Sequence, residues 1–298
     1  MVFVVTGGRG FIGSHFVELV LAKGHTVIDI DKMTYAASKS LPFDDNEEYS
    51  HIDKDICDVD HIPPCDMVVN FAAESHVDNS IVGPNVFFNS NTHGVFNLLE
   101  LIRGKVYNQP IFFQVSTDEV YGDVRELNSK ESDQLHPGNP YSASKAAAEM
   151  FVLSYNRTYG INYLITRSAN NYGKRQYPEK LIPQIMHCLE NNKKIPIHGD
   201  GTYIRDWINV KDNVKAMYHL IERGIINETY NISANNHMTN LQVVQEVCRW
   251  YGIQNYEEHI EFVQNRMGQD TRYSMDSSKL LTTGFELTYG GKGLKKFQ

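Results

Sequence analysis

The chain has 298 residues, enough for one large α/β domain or two smaller ones sharing a cleft, and its 41% hydrophobic and 21% charged residues are an ordinary globular balance. A formal net charge of −8 argues against a nucleic-acid binder, which would carry a basic face, but leaves room for an anionic small substrate held by a few local Arg and Lys residues. The four cysteines, Cys57, Cys65, Cys188 and Cys248, are scattered without a CxxC pair, so neither a disulfide framework nor a metal site is expected.

In chain order, the apolar run Val2-Phe3-Val4-Val5 reads as a buried strand with no basic or long apolar segment before it. No secretory signal and no membrane span are expected, and a cytoplasmic protein is. Residues 11–23 read as a helix ended by Gly24, residues 26–30 as a strand, and a polar loop follows to residue 48. Strands are expected at 49–53 and 67–71, a long helix at 85–103 closed by Gly104, and a strand at 111–115. A helix at 142–159 stops at Gly160, and a strand at 162–166 follows. This alternation predicts an α/β fold, a Rossmann-type doubly wound parallel sheet with helices on both faces. Beyond residue 170 the rhythm loosens into a smaller mixed α/β region: a helix at 178–190, a short strand at 196–198, a helix capped by Asp212 and ending near Gly224, a strand at 229–232, a helix at 240–251 and a strand at 260–263. That region is expected to close over the C-terminal edge of the sheet and bind substrate.

The first strand leads into Thr6-Gly7-Gly8-Arg9-Gly10-Phe11-Ile12-Gly13 and then directly into a helix. Gly7, Gly10 and Gly13 allow a tight turn and close backbone approach to a pyrophosphate, while the helix N-terminus offers free N–H groups and partial positive charge. A glycine triplet alone is weak; between a first strand and a first helix it is strong. The second strand ends in Asp29-Ile30-Asp31, and Asp31 is the carboxylate placed to accept the adenosine ribose hydroxyls and repel a 2′-phosphate, favouring NAD over NADP. Residues 1–169 are therefore expected to form the dinucleotide-binding domain, with some later segments returning to it, and residues 170–298 the substrate-binding region.

Tyr141 and Lys145 form a Tyr-x-x-x-Lys pair near the start of a predicted helix. Four-residue spacing sets them on one face, where an ammonium beside the phenol is expected to lower its pKa toward that of a useful base. Such a pair is also common on ordinary surfaces, and its position after the 111–115 strand favours the catalytic reading. That strand runs into Ser116-Thr117-Asp118-Glu119. Two adjacent acids exceed what a simple redox enzyme needs; they suit an elimination, with an acid at the leaving oxygen and a base at the neighbouring carbon. The alternative is a pair of solvated loop carboxylates.

These stretches resemble the extended short-chain dehydrogenase/reductases, and within them the nucleotide-sugar 4,6-dehydratases typified by dTDP-glucose 4,6-dehydratase. Further matching stretches are Asp31-Lys32-Met33-Thr34-Tyr35-Ala36, Asp55-Ile56-Cys57-Asp58, Ala72-Ala73-Glu74-Ser75-His76-Val77-Asp78, Asn170-Asn171-Tyr172-Gly173, Pro178-Glu179-Lys180-Leu181 and Arg205-Asp206-Trp207. The resemblance implies that Tyr141, with Lys145 and Thr117, deprotonates the sugar 4-hydroxyl, that Glu119 takes the C5 proton, and that Asp118 protonates the departing 6-hydroxyl. It implies a tightly bound NAD recycled within each turnover, contacted by Gly7, Gly10, Phe11, Ile12, Gly13, Asp31, Asp55, Ile56, Ala72, Ala73, Tyr141 and Lys145. Substrate contacts implied are Asn171, Lys180, Leu181, Arg205, Asn240 and Arg266, and a homodimer is implied through the helices at 85–103 and 142–159; His76, in the matched Ala-Glu-Ser-His stretch near the cleft, is read either as a further substrate contact or as simple loop structure.

Several positions depart from the family pattern. Asn79 stands where an arginine is usual, His198 where a tyrosine is usual, and Arg266-Met267-Gly268-Gln269-Asp270 lacks the family's proline and histidine. The stretches 55–66 and 122–140 are short, and the chain stops at Gln298 where the family continues through a further helix. The nucleotide (dTDP or UDP), the hexose (glucose or N-acetylglucosamine) and the C5 stereochemistry stay open. A 4-epimerase, a UDP-glucuronate decarboxylase and an NAD(H)-sensing protein without turnover are the other readings of this scaffold.

Overall fold

The computed structural model describes residues 1–105, 108–124, 126–265 and 267–296. Its main sheet takes β1 (Val2–Thr6), β2 (Thr26–Ile30), β3 (Tyr49–Ile52), β4 (Met67–Asn70), β5 (Ile111–Thr117) and β6 (Tyr163–Ser168) from the first part of the chain. Three more strands follow, β7 (Asn170–Tyr172), β8 (Ile195–His198) and β9 (Ile204–Asn209), before β10 (Glu228–Ile232) returns to the edge of the main sheet. The seven strands stand in the order β10-β6-β5-β4-β1-β2-β3, every neighbouring pair parallel. This is the doubly wound sheet expected from the alternation. The chain direction across the sheet reverses between β1 and β4, the point at which such sheets open a crevice beyond their C-terminal ends.

Both faces of the sheet are buried, as parallel strands require. In β1, Phe3 and Val5 face a core shared with Phe16, Val69, Phe113 and Met217, while Val4 faces a second one shared with Val68, Leu98, Phe112 and Val152. Helix α1 (Phe11–Ala22) covers the first face. A helical path then runs through α2 (Val77–Val82), α3 (Pro84–Phe87) and α4 (Gly94–Arg103), and α5 (Pro140–Tyr159) packs beside α4 on the second face.

The long helix expected at 85–103 is not uniform: residues Phe88–His93 form a π-helical stretch between α3 and α4. The widened turn lets Asn91 donate to the Ser144 hydroxyl on α5 (2.9 Å) and to the Glu74 carbonyl (2.9 Å), while Thr92 donates to the Ser144 carbonyl (3.1 Å). A π-turn of this kind is a common way to aim side chains near a functional site.

The smaller region holds a third core, built from Tyr172, Ile182, Ile195, Trp207, Val243 and neighbours. It consists of α6 (Leu181–Glu190), α7 (Val210–Glu222), β11 (His237–Thr239), α8 (Asn240–Trp250), β12 (Ile260–Val263) and the short α9 (Ser278–Leu281), although α7 packs back onto α1 and α9, through Leu280, onto β10 and the first core. β9 pairs in parallel with β7 and antiparallel with β11, and β8 pairs in parallel with β12. Three details differ from the sequence expectation. The 178–190 helix starts only at Leu181, because residues 178–180 form a turn. The α7 cap is Asn209, whose side chain accepts the Lys211 N–H; Asp212 instead sits buried in the first turn and accepts the Thr288 and Tyr289 N–H groups. β7, β9 and β11 had no apolar alternation to announce them. Among the described residues, no helix is long and apolar enough to cross a membrane.

Candidate active site

Every loop that leaves the C-terminal edge of β1 to β6 lines one cleft. It is walled by Gly7, Gly10, Phe11, Ile12 and Gly13 after β1, Asp31 after β2, Asp55 and Ile56 after β3, and Ala72 and Ala73 after β4. Thr117, Asp118, Glu119, Tyr141 and Lys145 close its inner end. All the residues expected at the cofactor and in catalysis thus share one cavity.

The glycine loop is dictated by close packing. Gly7 has φ +73°, and a Cβ there would stand 2.6 Å from the Ala72 nitrogen; a Cβ on Gly13 would stand 2.2 Å from the Gly7 carbonyl oxygen. The first turn of α1 can therefore lie directly on the loop, with its N–H groups open to the cleft and no side chain capping them. Asp31 accepts the backbone N–H groups of Arg9 (3.1 Å) and Met33 (2.9 Å), which fixes its carboxylate at the rim, and burial pushes its pKa up. Asp29, by contrast, is fully buried under the loop and accepts the Gly8 N–H (2.9 Å) and the Tyr49 hydroxyl (2.9 Å). Lys32 turns to Asp55 at 3.2 Å. A loop that leaves room for a backbone-hugging ligand, unpaired helix N–H groups and a rim carboxylate together fit a dinucleotide.

At the inner end, β5 runs two residues further than expected and delivers Thr117 to the sheet edge, where its hydroxyl donates to Asp118 (3.1 Å) and accepts the Glu119 N–H (3.3 Å). Asp118 is 3% exposed, its Oδ2 has no hydrogen-bond partner, and burial together with the neighbouring Glu119 pushes its pKa up to about 8. Burial also raises Glu119, against the pull of Arg205, an Asn139 amide donor at 3.4 Å, and Lys180. Two adjacent carboxyls in a low-dielectric pocket cannot both ionise easily, so one keeps its proton.

Helix α5 begins at Pro140, with Asn139 as its cap accepting the Ser142 N–H (3.0 Å), which places Tyr141 and Lys145 inside the first turns. Lys145 is buried, donates to the Val115 carbonyl (2.7 Å), and is pushed down to about 8 by burial. The expectation that it lowers the Tyr141 pKa is not met. Burial and Glu119 push the phenol well above its ordinary value, and the opposing influence is the Thr117 hydrogen bond. The physical reason is that burial of the phenol and the neighbouring Glu119 and Asp118 carboxyls dominate its surroundings.

A second cleft opens on the other side of Glu119. His76, Asn171, Lys180, Leu181, Arg205 and Asn240 all line it, as expected for substrate contacts, and Glu119, Asn171 and Lys180 line both clefts. Arg266 lies outside the described residues. Asn171 Oδ1, Gln176 Oε1 and Trp207 Nε1 are buried without partners in this wall, polar atoms that a bound ligand would satisfy. Arg205 is more committed than a free anion hook: its guanidinium donates to the carbonyls of Ile204 (2.8 Å) and Asp270 (3.0 Å) and stacks on Tyr273 at 4.1 Å. Sequence reasoning did not find Asn139, Tyr273 or Asp270. Tyr273 donates to Asp270 (2.8 Å) and approaches Glu119 at 3.5 Å, a contact made by residues more than 150 positions apart.

The family model described as GDP-mannose 4,6 dehydratase matches residues 4–292. The low-salt glycan biosynthesis protein Agl12 of Haloferax volcanii is 40% identical over 290 residues, covering 95% of this chain and 92% of that protein. The dTDP-glucose 4,6-dehydratase of Haemophilus influenzae is 41% identical, covering 94% of this chain and 91% of that protein. Among solved structures, DesIV, a dTDP-glucose 4,6-dehydratase from Streptomyces venezuelae crystallised with NAD, superposes with a TM-score of 0.92 at 36% identity, covering 97% of this chain and 92% of that one. By that family model and those relatives, the chain belongs to the GDP-mannose 4,6 dehydratase family.

Proposed function

We propose that the protein is an NAD-dependent nucleotide-sugar 4,6-dehydratase, a hydro-lyase that converts a dTDP- or UDP-linked gluco-configured hexose to its 4-keto-6-deoxy product. The observation that carries this is the buried Asp118-Glu119 pair beside Tyr141, with the Asp118 carboxyl pushed up to about 8 so that it holds a proton at neutral pH. A 4-epimerase has no use for such an acid. The relatives that bear the dTDP-glucose name support dTDP-glucose as the first substrate to try.

NAD, held by Gly7, Gly10, Phe11, Ile12, Gly13, Asp31, Asp55, Ile56, Ala72 and Ala73, would supply the oxidant for C4 and the store from which the hydride returns to C6. Tyr141, steadied by Thr117 and Lys145, takes the 4-hydroxyl proton. Glu119 takes the proton at C5, which the new ketone acidifies. It is the partly exposed member of the pair, and Arg205, Lys180 and Asn139 favour its charged form. Asp118, the more deeply buried, keeps its proton and gives it to the departing 6-hydroxyl, so that water leaves. His76, Asn171, Lys180, Leu181, Asn240 and Arg266 bind the sugar nucleotide, while Arg205 shapes that cleft through the carbonyls it holds. Residues 1–169, with β10 and α7 returning to them, serve the cofactor, and the rest of residues 170–298 serve the substrate. A cytoplasmic homodimer completes the reading; Val86, Phe88 and Met150, about half exposed on the helices expected to pair, support it. Incubation with a panel of dTDP- and UDP-hexoses, without added NAD, tests the activity by mass. Loss of one water is expected, and an unchanged mass with a new C4 configuration would overturn the assignment.

A further inference from the structure

We propose that residues 31–44 form a strap that locks the dinucleotide into its cleft, anchored at its root by Arg9 and latched across the mouth by Tyr35. The proposal rests on the NAD reading above. Residues 31–46 are neither helix nor strand, so side chains must hold them in place. Arg9, from the glycine loop itself, does most of this and is 5% exposed. Its Nε donates to the Ser38 carbonyl (3.0 Å), its Nη2 to the Lys39 carbonyl (3.1 Å), and both terminal nitrogens to Asp44 (2.7 and 3.1 Å). Its own carbonyl accepts the Ser38 N–H (2.8 Å). Leu41 and Phe43 sink into the core on the same stretch.

The far end of the strap is built differently. Tyr35 is 52% exposed, yet its hydroxyl donates to the Glu179 carboxylate (3.1 Å) and its ring meets Tyr177 edge-on at 5.1 Å. Those partners belong to the opposite wall of the cleft, while Thr34, Ala36 and Ala37 on either side of Tyr35 line the cavity beneath. The strap thus starts under the glycine loop, crosses the adenosine end of the cleft and ends on the substrate-side wall. Thr34, Ala36, Ala37 and Tyr177 do not line the second cleft, whereas Glu179, the acceptor of the latch, lines both. The body of the strap therefore lies clear of the sugar nucleotide, and only its latch stands on the border between the two clefts. This separation matters for a reaction in which the hydride must return to the molecule that gave it up, because the cofactor must outlast each product.

The test is the rate at which NAD leaves the purified, NAD-loaded protein on transfer into NAD-free buffer, with the released dinucleotide quantified directly. Tyr35→Ala removes hydrogen bond and ring contact and should speed release about tenfold, the equivalent of ~1.4 kcal/mol. Tyr35→Phe, which keeps the ring, should fall between that variant and the parent. Arg9→Met should release NAD at least as fast as Tyr35→Ala, and a melting curve checks that it is folded. Release from Tyr35→Ala within about twofold of the parent, with NAD held by both, would overturn the strap and leave the cofactor assignment standing. A parent protein that neither carries NAD nor takes it up would overturn both.

Discussion

The dinucleotide cleft is rich in small residues at the ends of β1 and β4 and on the strap: Gly7, Gly10, Gly13, Ala36, Ala37, Ala72 and Ala73 let a ligand lie against the backbone. The adjoining cleft is walled by long polar and aromatic side chains, among them Gln184, His198, Tyr203, Arg205, Gln269 and Tyr273. The first needs chain segments to approach each other and follows from β1, β2, β3 and β4 ending side by side. The second needs particular side chains brought from seven separate stretches of sequence. Glu119 lines both, with Ser75, Asn170, Asn171, Gln176, Glu179 and Lys180, and the proposed chemistry sits at that junction.

The junction is where breaking the site costs most. Glu119→Gln keeps the shape but removes the base for C5, and turnover should fall by about 10²–10⁴. Oxidation at C4 should survive, so reduced nicotinamide should build up on the enzyme when substrate is added. Full product formation by this variant would remove Glu119 from the mechanism.

On the main-chain side the sharpest perturbation is Gly13→Ala. Its Cβ would meet the Gly7 carbonyl at 2.2 Å, a backbone atom that cannot swing away. A loss of about 1–3 kcal/mol in unfolding free energy is expected, together with weakened NAD retention. Denaturant melts and the bound-dinucleotide content read the two effects separately. Unchanged values for both would mean that the loop is looser than its packing implies.

This contrast also decides what could be read from the chain. Glycine spacing reports backbone approach directly, so Gly7, Gly10, Gly13 and Asp31 were legible, as were the alternating strands and helices that make the sheet. Tyr141 and Lys145 were legible as a helical pair, but not the Lys145 contact to Val115, which crosses from helix to strand, nor the burial that raises the phenol. The π-turn at 88–93 was hidden because no residue type announces a widened turn, and the Asn91 and Thr92 contacts to Ser144 that accompany it come from across the fold. β9 was hidden because Arg205 and Asp206 interrupt its apolar pattern, both being buried on partners from residues 233–236 and 270–271. Tyr273 and Asn139 carry no local spacing at all and meet Glu119 only through the fold, and Asp270 is tied to it only through the Tyr273 hydroxyl.

A smaller effect tests the acid. Only protonated Asp118 can donate, so with its pKa near 8 the turnover rate should decline as pH rises above that value, approaching tenfold per unit. The same burial bears on stability. A carboxyl whose folded pKa lies above its unfolded one stabilises at low pH and loses that contribution as pH rises through the window from its ordinary value up to about 8. Asp118→Asn should abolish dehydration yet raise stability above pH 8 by about 1 kcal/mol. A melting temperature that falls in this variant at high pH would show that the charged form is better accommodated than its burial implies.

The smallest effect separates the two jobs of Asn139, which joins the helix carrying Tyr141 to the base on the other side of the cleft. Its carbonyl oxygen caps α5 through the Ser142 N–H, and its amide nitrogen reaches Glu119 at 3.4 Å. Asn139→Ala removes both and should cost about 1 kcal/mol of stability. Asn139→Ser restores a cap acceptor, so stability should recover to within a few tenths of a kcal/mol, but a serine hydroxyl is shorter and is committed to the cap. Glu119 then loses a donor that favours its charged form, and the acidic limb of the turnover–pH profile should move to higher pH. If the limb stays in place while the cap is restored, the amide contact contributes nothing to the base, and Arg205 and Lys180 alone set its charge.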